Sequence, residues 1–268
     1  MNTEILGTIA IVGYAAAAIL QYFNLLRGNK SGLNKVLLLG TVALACHFAS
    51  FQETLFSVNG INLGLFQVSS LTGWLIAALV TLSSITKPLE NLLIGIYPLA
   101  LLGLILGLIN IDTAEPLQNL SLGISSHIIL SILAYSTFSI AVLQALLLAF
   151  QDQHLHHQKA NGFIMRLPPL QMMEQLLFDL ILVGLALLSA AIVSGILFLE
   201  DIFAQHLVHK TALTLIAWVI FSTLLFGRHW LGWRGTKAIH WTLGGYLLLL
   251  LAFFGSKLVL EIILQRSI

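Results

Sequence analysis

The sequence has few charged residues and a single cysteine. Charged residues make up 9% of the 268 positions, whereas hydrophobic residues make up 58%. Soluble globular chains carry roughly 25% charged residues, so a water-soluble fold is excluded. Because Cys46 stands alone, an intramolecular disulfide and a multi-cysteine metal site are excluded as well. The net charge of +1 provides no basic surface for nucleic acid, and we expect no nucleic-acid partner.

The sequence also lacks the motifs of the common enzyme classes. It contains no nucleophile–base pair, Walker loop, dinucleotide-binding glycine motif or zinc-protease helix. We therefore predict no catalytic residues. No internal repeat divides the chain, so we expect a single integral membrane domain over residues 1–268.

Long apolar runs are what this sequence has in abundance. A helix needs about 20 mainly apolar residues to span the hydrocarbon core of a bilayer. Eight windows qualify, namely Ile5–Leu26, Val36–Leu55, Leu63–Ile85, Leu89–Ile109, Ile124–Phe150, Leu176–Leu199, Ala212–Phe226 and Ile239–Ile262. They predict an all-α fold, a polytopic helical bundle of about eight transmembrane helices in contact with lipid.

The distribution of basic residues predicts how the helices are oriented. Short cytoplasmic loops retain Lys and Arg. One set of connections holds most of them: Arg27, Lys30, Lys35, Lys87, Lys159, Arg166, Arg228, Arg234 and Lys237. The opposite set holds Lys210, Lys257 and Arg266 with the acidic residues Asp112, Glu115, Glu200 and Asp201. We therefore predict that both termini lie on the non-cytoplasmic side.

Histidines are the residues with the clearest capacity for chemistry in these helices. Ionisable groups are costly inside a bilayer, so each one is a candidate functional residue. His47 lies in the middle of the second predicted helix, and His127 lies at the outer end of the fifth. Either imidazole could bind haem iron through an unprotonated ring nitrogen. The alternatives are a hydrogen-bonded packing residue for His47 and a helix cap in contact with water for His127.

Two further groups of histidines lie in predicted loops. His206 and His209 precede the seventh helix on the outer side and are weaker candidates as ligands. His154, His156 and His157 form a cytoplasmic cluster, but neighbouring histidines on a solvated loop usually bind nothing specific. We therefore predict no metal other than haem iron.

Several short motifs follow one another from the second predicted helix to the C-terminus. They are Cys46-His47, Ser126-His127 with Tyr135, Leu167-Pro168-Pro169-Leu170 with Glu174, Trp218, and Gly232-Trp233-Arg234-Gly235 followed by Gly244 and Gly255-Ser256. Their order and spacing resemble the CcsA-like cytochrome c assembly family, and in particular its YpjD branch. Each motif is weak alone, and the combination is what distinguishes the family.

The resemblance implies a membrane protein that binds haem through histidines and helps present it for attachment to apocytochrome c. Its partners would be other membrane proteins of cytochrome maturation, and it would lie in the inner (plasma) membrane of a bacterial cell. His47 matches the family's histidine within a membrane helix, and His127 matches the one near the outer face. A further family histidine is replaced by Phe226, and His229 lies close by as a weaker candidate. We expect the cofactor to be haem b.

The chain also departs from the family in one functional motif. The haem-presenting enzymes carry a tryptophan-rich external motif, whereas the matching stretch 204–210 has no tryptophan. We therefore expect a haem-handling accessory protein without ligase activity. The alternative is a membrane accessory or scaffold protein, for example for a cation transporter, that keeps the fold without haem.

Overall fold

The computed structural model describes residues 3–57, 60–109, 116–156, 164–198 and 208–258. Within them are eight α-helices: α1 Thr3–Arg27, α2 Leu33–Leu55, α3 Leu65–Ser83, α4 Leu93–Ile109, α5 Leu122–His156, α6 Leu170–Phe198, α7 Val208–Leu231 and α8 Thr236–Leu250. A 3₁₀ turn precedes α4, and α8 continues as the π-helical turn Leu251–Gly255. With these extensions, all eight are long and apolar enough to cross a membrane. The predicted all-α membrane fold is confirmed, and the side on which the termini lie stays a prediction.

Five helices are longer than the apolar windows that predict them, and α5, α6 and α7 exceed their windows most. Helix α5 has 35 residues, α6 has 29, and α7 has 24 although its predicted window ends at Phe226. An apolar window stops at the first polar residues, whereas backbone hydrogen bonds continue through the membrane interface into water. The end of the eighth window, residues 259–262, lies outside the described residues.

The chain forms two compact units, and the first contains α1 to α4. Helix α1 packs against α2 and α4, and α3 packs against α4. Small residues allow close approach: a Cβ on Gly13 would lie 2.9 Å from the Cβ of Ala43. A two-stranded antiparallel hairpin, β1 Phe56–Ser57 and β2 Gly60–Ile61, follows α2 and is not predicted by the sequence. It is too short to change the fold class.

The second unit contains α5 to α8. Helix α5 packs along α6, and α8 packs against both α5 and α7. The rings of Phe138 and Phe221 stack with centroids 4.0 Å apart in its core. Gly184 on α6 makes room for Phe138, because a Cβ there would lie 3.0 Å from that ring. That the two units act as one domain stays a prediction.

Candidate functional site

His47 is fully buried in the core of the first unit. Its Nδ1 lies 3.1 Å from the hydroxyl of Tyr14 on α1, and its Nε2 lies 3.0 Å from the hydroxyl of Ser70 on α3. A neutral imidazole has one N–H and one lone pair, so one hydroxyl donates to the ring and the other accepts from it. Both ring nitrogens are therefore engaged, and His47 connects three helices.

Aromatic rings surround this hydrogen-bonded histidine. Tyr14 and Phe51 meet the His47 ring edge-on, with centroids at 5.7 and 5.3 Å. Tyr97 on α4 packs on Tyr14 at 5.5 Å and is itself fully buried. Gly40 lets Tyr97 reach this position, because a Cβ there would collide with the tyrosine hydroxyl. The fourth helix of the unit is thereby packed against the same group.

This surrounding does not fit a haem on His47 as the helices now lie. An axial ligand needs a free lone pair on one ring nitrogen and space for the porphyrin beside it. At His47 the hydroxyls of Tyr14 and Ser70 occupy both nitrogens, and the side chain is enclosed. Ligation would require the loss of one hydrogen bond and separation of packed helices. The geometry matches the alternative interpretation, a packing histidine, while ligation by His47 stays a prediction.

His127 lies in the second turn of α5, in the second unit, and is half-buried. Its Nδ1 lies 2.8 Å from the carbonyl oxygen of Ala191 and 3.3 Å from the hydroxyl of Ser194, both on α6. A carbonyl oxygen only accepts, so Nδ1 carries the proton and donates. In a neutral ring the lone pair is then on Nε2, which has no hydrogen-bond partner among the described residues. A neutral His127 therefore uses Nδ1 as its donor and keeps Nε2 as its acceptor.

Small residues bring α5 and α6 together beside His127. Ala191 and Ser194 are both buried. One turn before the histidine, a Cβ on Gly123 would collide with the ring of Phe198. Close helix approach in membranes depends on such small residues. The contact that orients His127 is therefore built into the helix packing.

A group of hydroxyls lies two turns further along the same face of α5. The hydroxyl of Tyr246 on α8 donates to that of Tyr135 at 2.8 Å, and Ser139 lies 2.8 Å from Tyr246. The Tyr135 ring also packs against both phenylalanines of the π-helical turn Leu251–Gly255. π-helical turns within α-helices occur frequently at functional sites. Beyond His127, this face of α5 is therefore lined by the hydroxyls of Tyr135, Ser139 and Tyr246 and by aromatic rings.

The weaker histidine candidates are dispersed. His209 is exposed in the first turn of α7, and His229 is exposed in the last turn, with its ring edge-on to Trp230 at 5.6 Å. Twenty helical residues separate the two by about 30 Å, so they cannot share one iron. His206 lies outside the described residues. Among those described, no three His, Cys, Asp or Glu side chains converge as a metal site.

The partners of these residues are what sequence reasoning missed. Ala191 and Ser194 orient His127, and Tyr246 completes the pair with Tyr135, yet none of the three was a candidate. A small-residue stretch on α6, 189–191 with 194–195, marks a close helix contact but gives no hint of which helix it meets. Contacts between residues 64 apart along the chain emerge only from the fold.

Comparison with known proteins identifies the relatives of this chain. Inner membrane protein YpjD of Escherichia coli strain K12 is 29% identical over 257 residues, which cover 95% of this chain and 97% of the relative. Protein HemX of Brevibacillus brevis is 24% identical over 132 residues, 48% of each chain. No solved structure matches. The Escherichia coli relative and the eight spanning helices confirm the predicted inner-membrane location.

The match to a protein family extends over both units. The family described as Cytochrome C assembly protein matches residues 36–264, from α2 to beyond the π-helical turn after α8. This range includes His47, His127 and the paired tyrosines Tyr135 and Tyr246. It agrees with the motifs on which the sequence resemblance depends. The chain therefore belongs to the cytochrome c assembly protein family.

Proposed function

We propose that this protein holds haem b in the inner membrane for cytochrome c maturation and binds its iron through Nε2 of His127. The observation that carries the proposal is the 2.8 Å hydrogen bond from Nδ1 of His127 to the carbonyl of Ala191. It leaves Nε2 as the nitrogen with the lone pair. Bound haem would supply an iron centre to accept that lone pair, and the protein supplies position and orientation.

The hydrogen-bond partners of His127 support this role. Histidines that bind metals almost always donate their other ring N–H to a carbonyl, a carboxylate or water, which fixes the tautomer and raises the basicity of the ligating nitrogen. The Ala191 carbonyl and the Ser194 hydroxyl provide such partners. The membership of the chain in the cytochrome c assembly family supports haem as the cofactor and proteins of cytochrome maturation as the partners. In this role no side chain makes or breaks a covalent bond of a substrate.

Haem content of the purified protein tests the proposal. The full chain, expressed with haem available and purified in detergent, is expected to show a Soret band and a stoichiometric pyridine haemochrome signal. His127→Ala removes the signal, whereas His240→Ala, which changes an exposed histidine on α8 of the same unit, retains it. In His127→Gly, added imidazole restores the band because it replaces the missing ligand. A well-folded protein without haem, or a fully loaded His127→Ala variant, would contradict the proposal.

A second candidate function is a membrane accessory or scaffold protein without haem, for example for a cation transporter. The observation that favours it is the engagement of both His47 ring nitrogens by Tyr14 and Ser70. If His127 also binds no haem, the protein has the fold of the family without its cofactor. Deletion of the gene separates the two functions, because a haem-handling protein affects c-type cytochrome content and a scaffold for transport leaves it normal.

A further inference from the structure

A cluster of basic and aromatic residues at the junction of α7 and α8 has no part in the proposed haem site. It comprises Arg228, Arg234 and Lys237 with the tryptophans Trp230 and Trp233, and we call it the basic cluster. The carboxylate of Glu174 on α6 accepts two hydrogen bonds, one from Nη1 of Arg228 at 2.5 Å and one from Nε of Arg234 at 3.2 Å. Three cations and one carboxylate leave these groups with a charge of +2.

The turn that carries the cluster has a defined conformation. Gly232 and Gly235 have positive φ angles of 65° and 54°, which side chains rarely adopt. The N–H of Trp233 donates to the carbonyl of Gly227 at 3.0 Å, and a Cβ on Gly227 would collide with the Trp233 ring. Arg234 is fixed by Glu174 at the same time. A site that is ordered before binding loses less entropy when a ligand arrives.

Two of the cations remain available to an anion. Arg234 bonds Glu174 through Nε alone among the described residues, and its side chain is 56% exposed. Lys237 is exposed and lies with Nζ 5.5 Å from the centre of the Trp233 ring. A planar guanidinium with free N–H groups binds phosphate oxygens with two hydrogen bonds, and an ammonium adds a point charge. These features suit a phosphate.

Two exposed aromatic rings lie in the last two turns of α7, before Arg234 and Lys237 along the chain. Trp230 is 71% exposed and Phe226 is 58% exposed, and their rings stack with centroids 6.0 Å apart. Tryptophan is enriched where the acyl chains of a bilayer meet the headgroups. These rings therefore place the end of α7, and the cations that follow it, at the level of the lipid headgroups. An anionic phospholipid supplies a phosphate at this level within the membrane itself, so it is the occupant that the position of the cations favours over a soluble phosphate.

We propose that the basic cluster is a binding site for an anionic phospholipid of the surrounding membrane. Arg234 and Lys237 bind the headgroup phosphate, Arg228 and Glu174 position Arg234, and Phe226 with Trp230 holds this end of α7 at the level of the headgroups. This site stands independently of haem binding by His127. The charge pattern predicts that it lies in the cytoplasmic leaflet.

Tryptophan quenching by brominated lipid tests this site directly. Three of the five tryptophans, Trp230, Trp233 and Trp241, lie in or beside the cluster, with Trp233 and Trp241 at 5.0 Å. The full chain is reconstituted in phosphatidylcholine vesicles that contain a few per cent of dibrominated phosphatidylglycerol or dibrominated phosphatidylcholine. We expect stronger quenching by the anionic lipid, and an association constant about tenfold lower in the double variant Arg234→Gln/Lys237→Gln.

A matched control removes two charges elsewhere. Lys35→Gln/Lys87→Gln changes two exposed lysines of the first unit and is expected to keep the preference for the anionic lipid. Lys237→Gln alone changes an exposed side chain, so folding is retained and the preference falls by a smaller factor. Equal quenching by the two lipids, or an equal loss in the control, would overturn the proposal. Competition by millimolar inorganic phosphate would assign the site to free phosphate and also overturn it.

Discussion

The two principal histidines of this chain both lie within helices long and apolar enough to cross a membrane, but they have different hydrogen bonds. His47, in the first unit, engages both ring nitrogens with side-chain hydroxyls and is fully buried. His127, in the second unit, engages Nδ1 with α6 and leaves Nε2 without a described partner. A histidine of the first kind joins helices through both nitrogens, whereas one of the second kind joins them through one nitrogen only. Position within a membrane helix does not distinguish the two.

The largest expected effect separates the two histidines by haem content. Under the proposed function, His127→Ala loses essentially all of the Soret absorbance because it removes the lone pair on Nε2. His47→Ala retains the haem of the wild type, since its nitrogens serve Tyr14 and Ser70. Pyridine haemochrome assays on purified variants give the haem-to-protein ratio. Loss of haem from a well-folded His47→Ala protein, with haem retained in His127→Ala, would reverse the assignment.

The second expected effect is on stability, and here His47→Ala is expected to have a larger effect than His127→Ala. His47→Ala leaves a cavity and deprives two buried hydroxyls of their partner, which is expected to cost about 2–4 kcal/mol. His127→Ala removes a half-buried ring with one hydrogen-bonded nitrogen, so we expect a loss of about 1 kcal/mol. Thermal unfolding of the haem-free proteins in detergent compares them. Equal midpoints for the two variants would show that the His47 network contributes little.

Glycine substitutions sharpen the comparison by changing the packing around each histidine. Gly40→Ala would push against Tyr97 beside His47, and we expect it to cost about 1–3 kcal/mol. Gly95→Ala on α4 is the matched control, because a Cβ there has no atom within 4 Å. The control is expected to be neutral or slightly stabilising, since alanine favours the helix. Both are measured by thermal unfolding, and similar midpoints would argue against tight packing at Gly40.

The equivalent change in the second unit is expected to act on haem. Gly123→Ala would move Phe198 or separate α5 from α6 next to His127. Under the proposed function, this weakens the contact with Ala191 and lowers haem affinity, by about tenfold if the cost is near 1.4 kcal/mol. Gly244→Ala, where a Cβ has open space, is the control. Haem titration of the two variants would show whether orientation by α6 matters.

Apolar run length predicted the fold but not the partners of its polar residues. Eight windows sufficed for the helices because lipid demands a span of about 20 residues. The windows ended α7 near Phe226 because they respond to hydropathy and not to backbone hydrogen bonding. His47 and His127 were predicted as candidate haem ligands from their place in the helices, but the sequence did not show which of them has a nitrogen without a hydrogen-bond partner. Their difference depends on Tyr14, Ser70 and Ala191, which are brought to them by helix packing.

The smallest expected effect tests the same contrast through single hydroxyls. The Ser70 hydroxyl is the hydrogen-bond partner of Nε2 in His47, so Ser70→Ala leaves a buried nitrogen unpaired and is expected to cost about 1–2 kcal/mol. Ser194 shares Nδ1 of His127 with the Ala191 carbonyl at a longer distance, 3.3 against 2.8 Å. Ser194→Ala therefore leaves the main hydrogen bond in place and is expected to cost less than about 0.5 kcal/mol. Thermal unfolding of the two serine variants measures both costs. A larger loss in Ser194→Ala than in Ser70→Ala would mean that the hydroxyl, and not the carbonyl, orients His127.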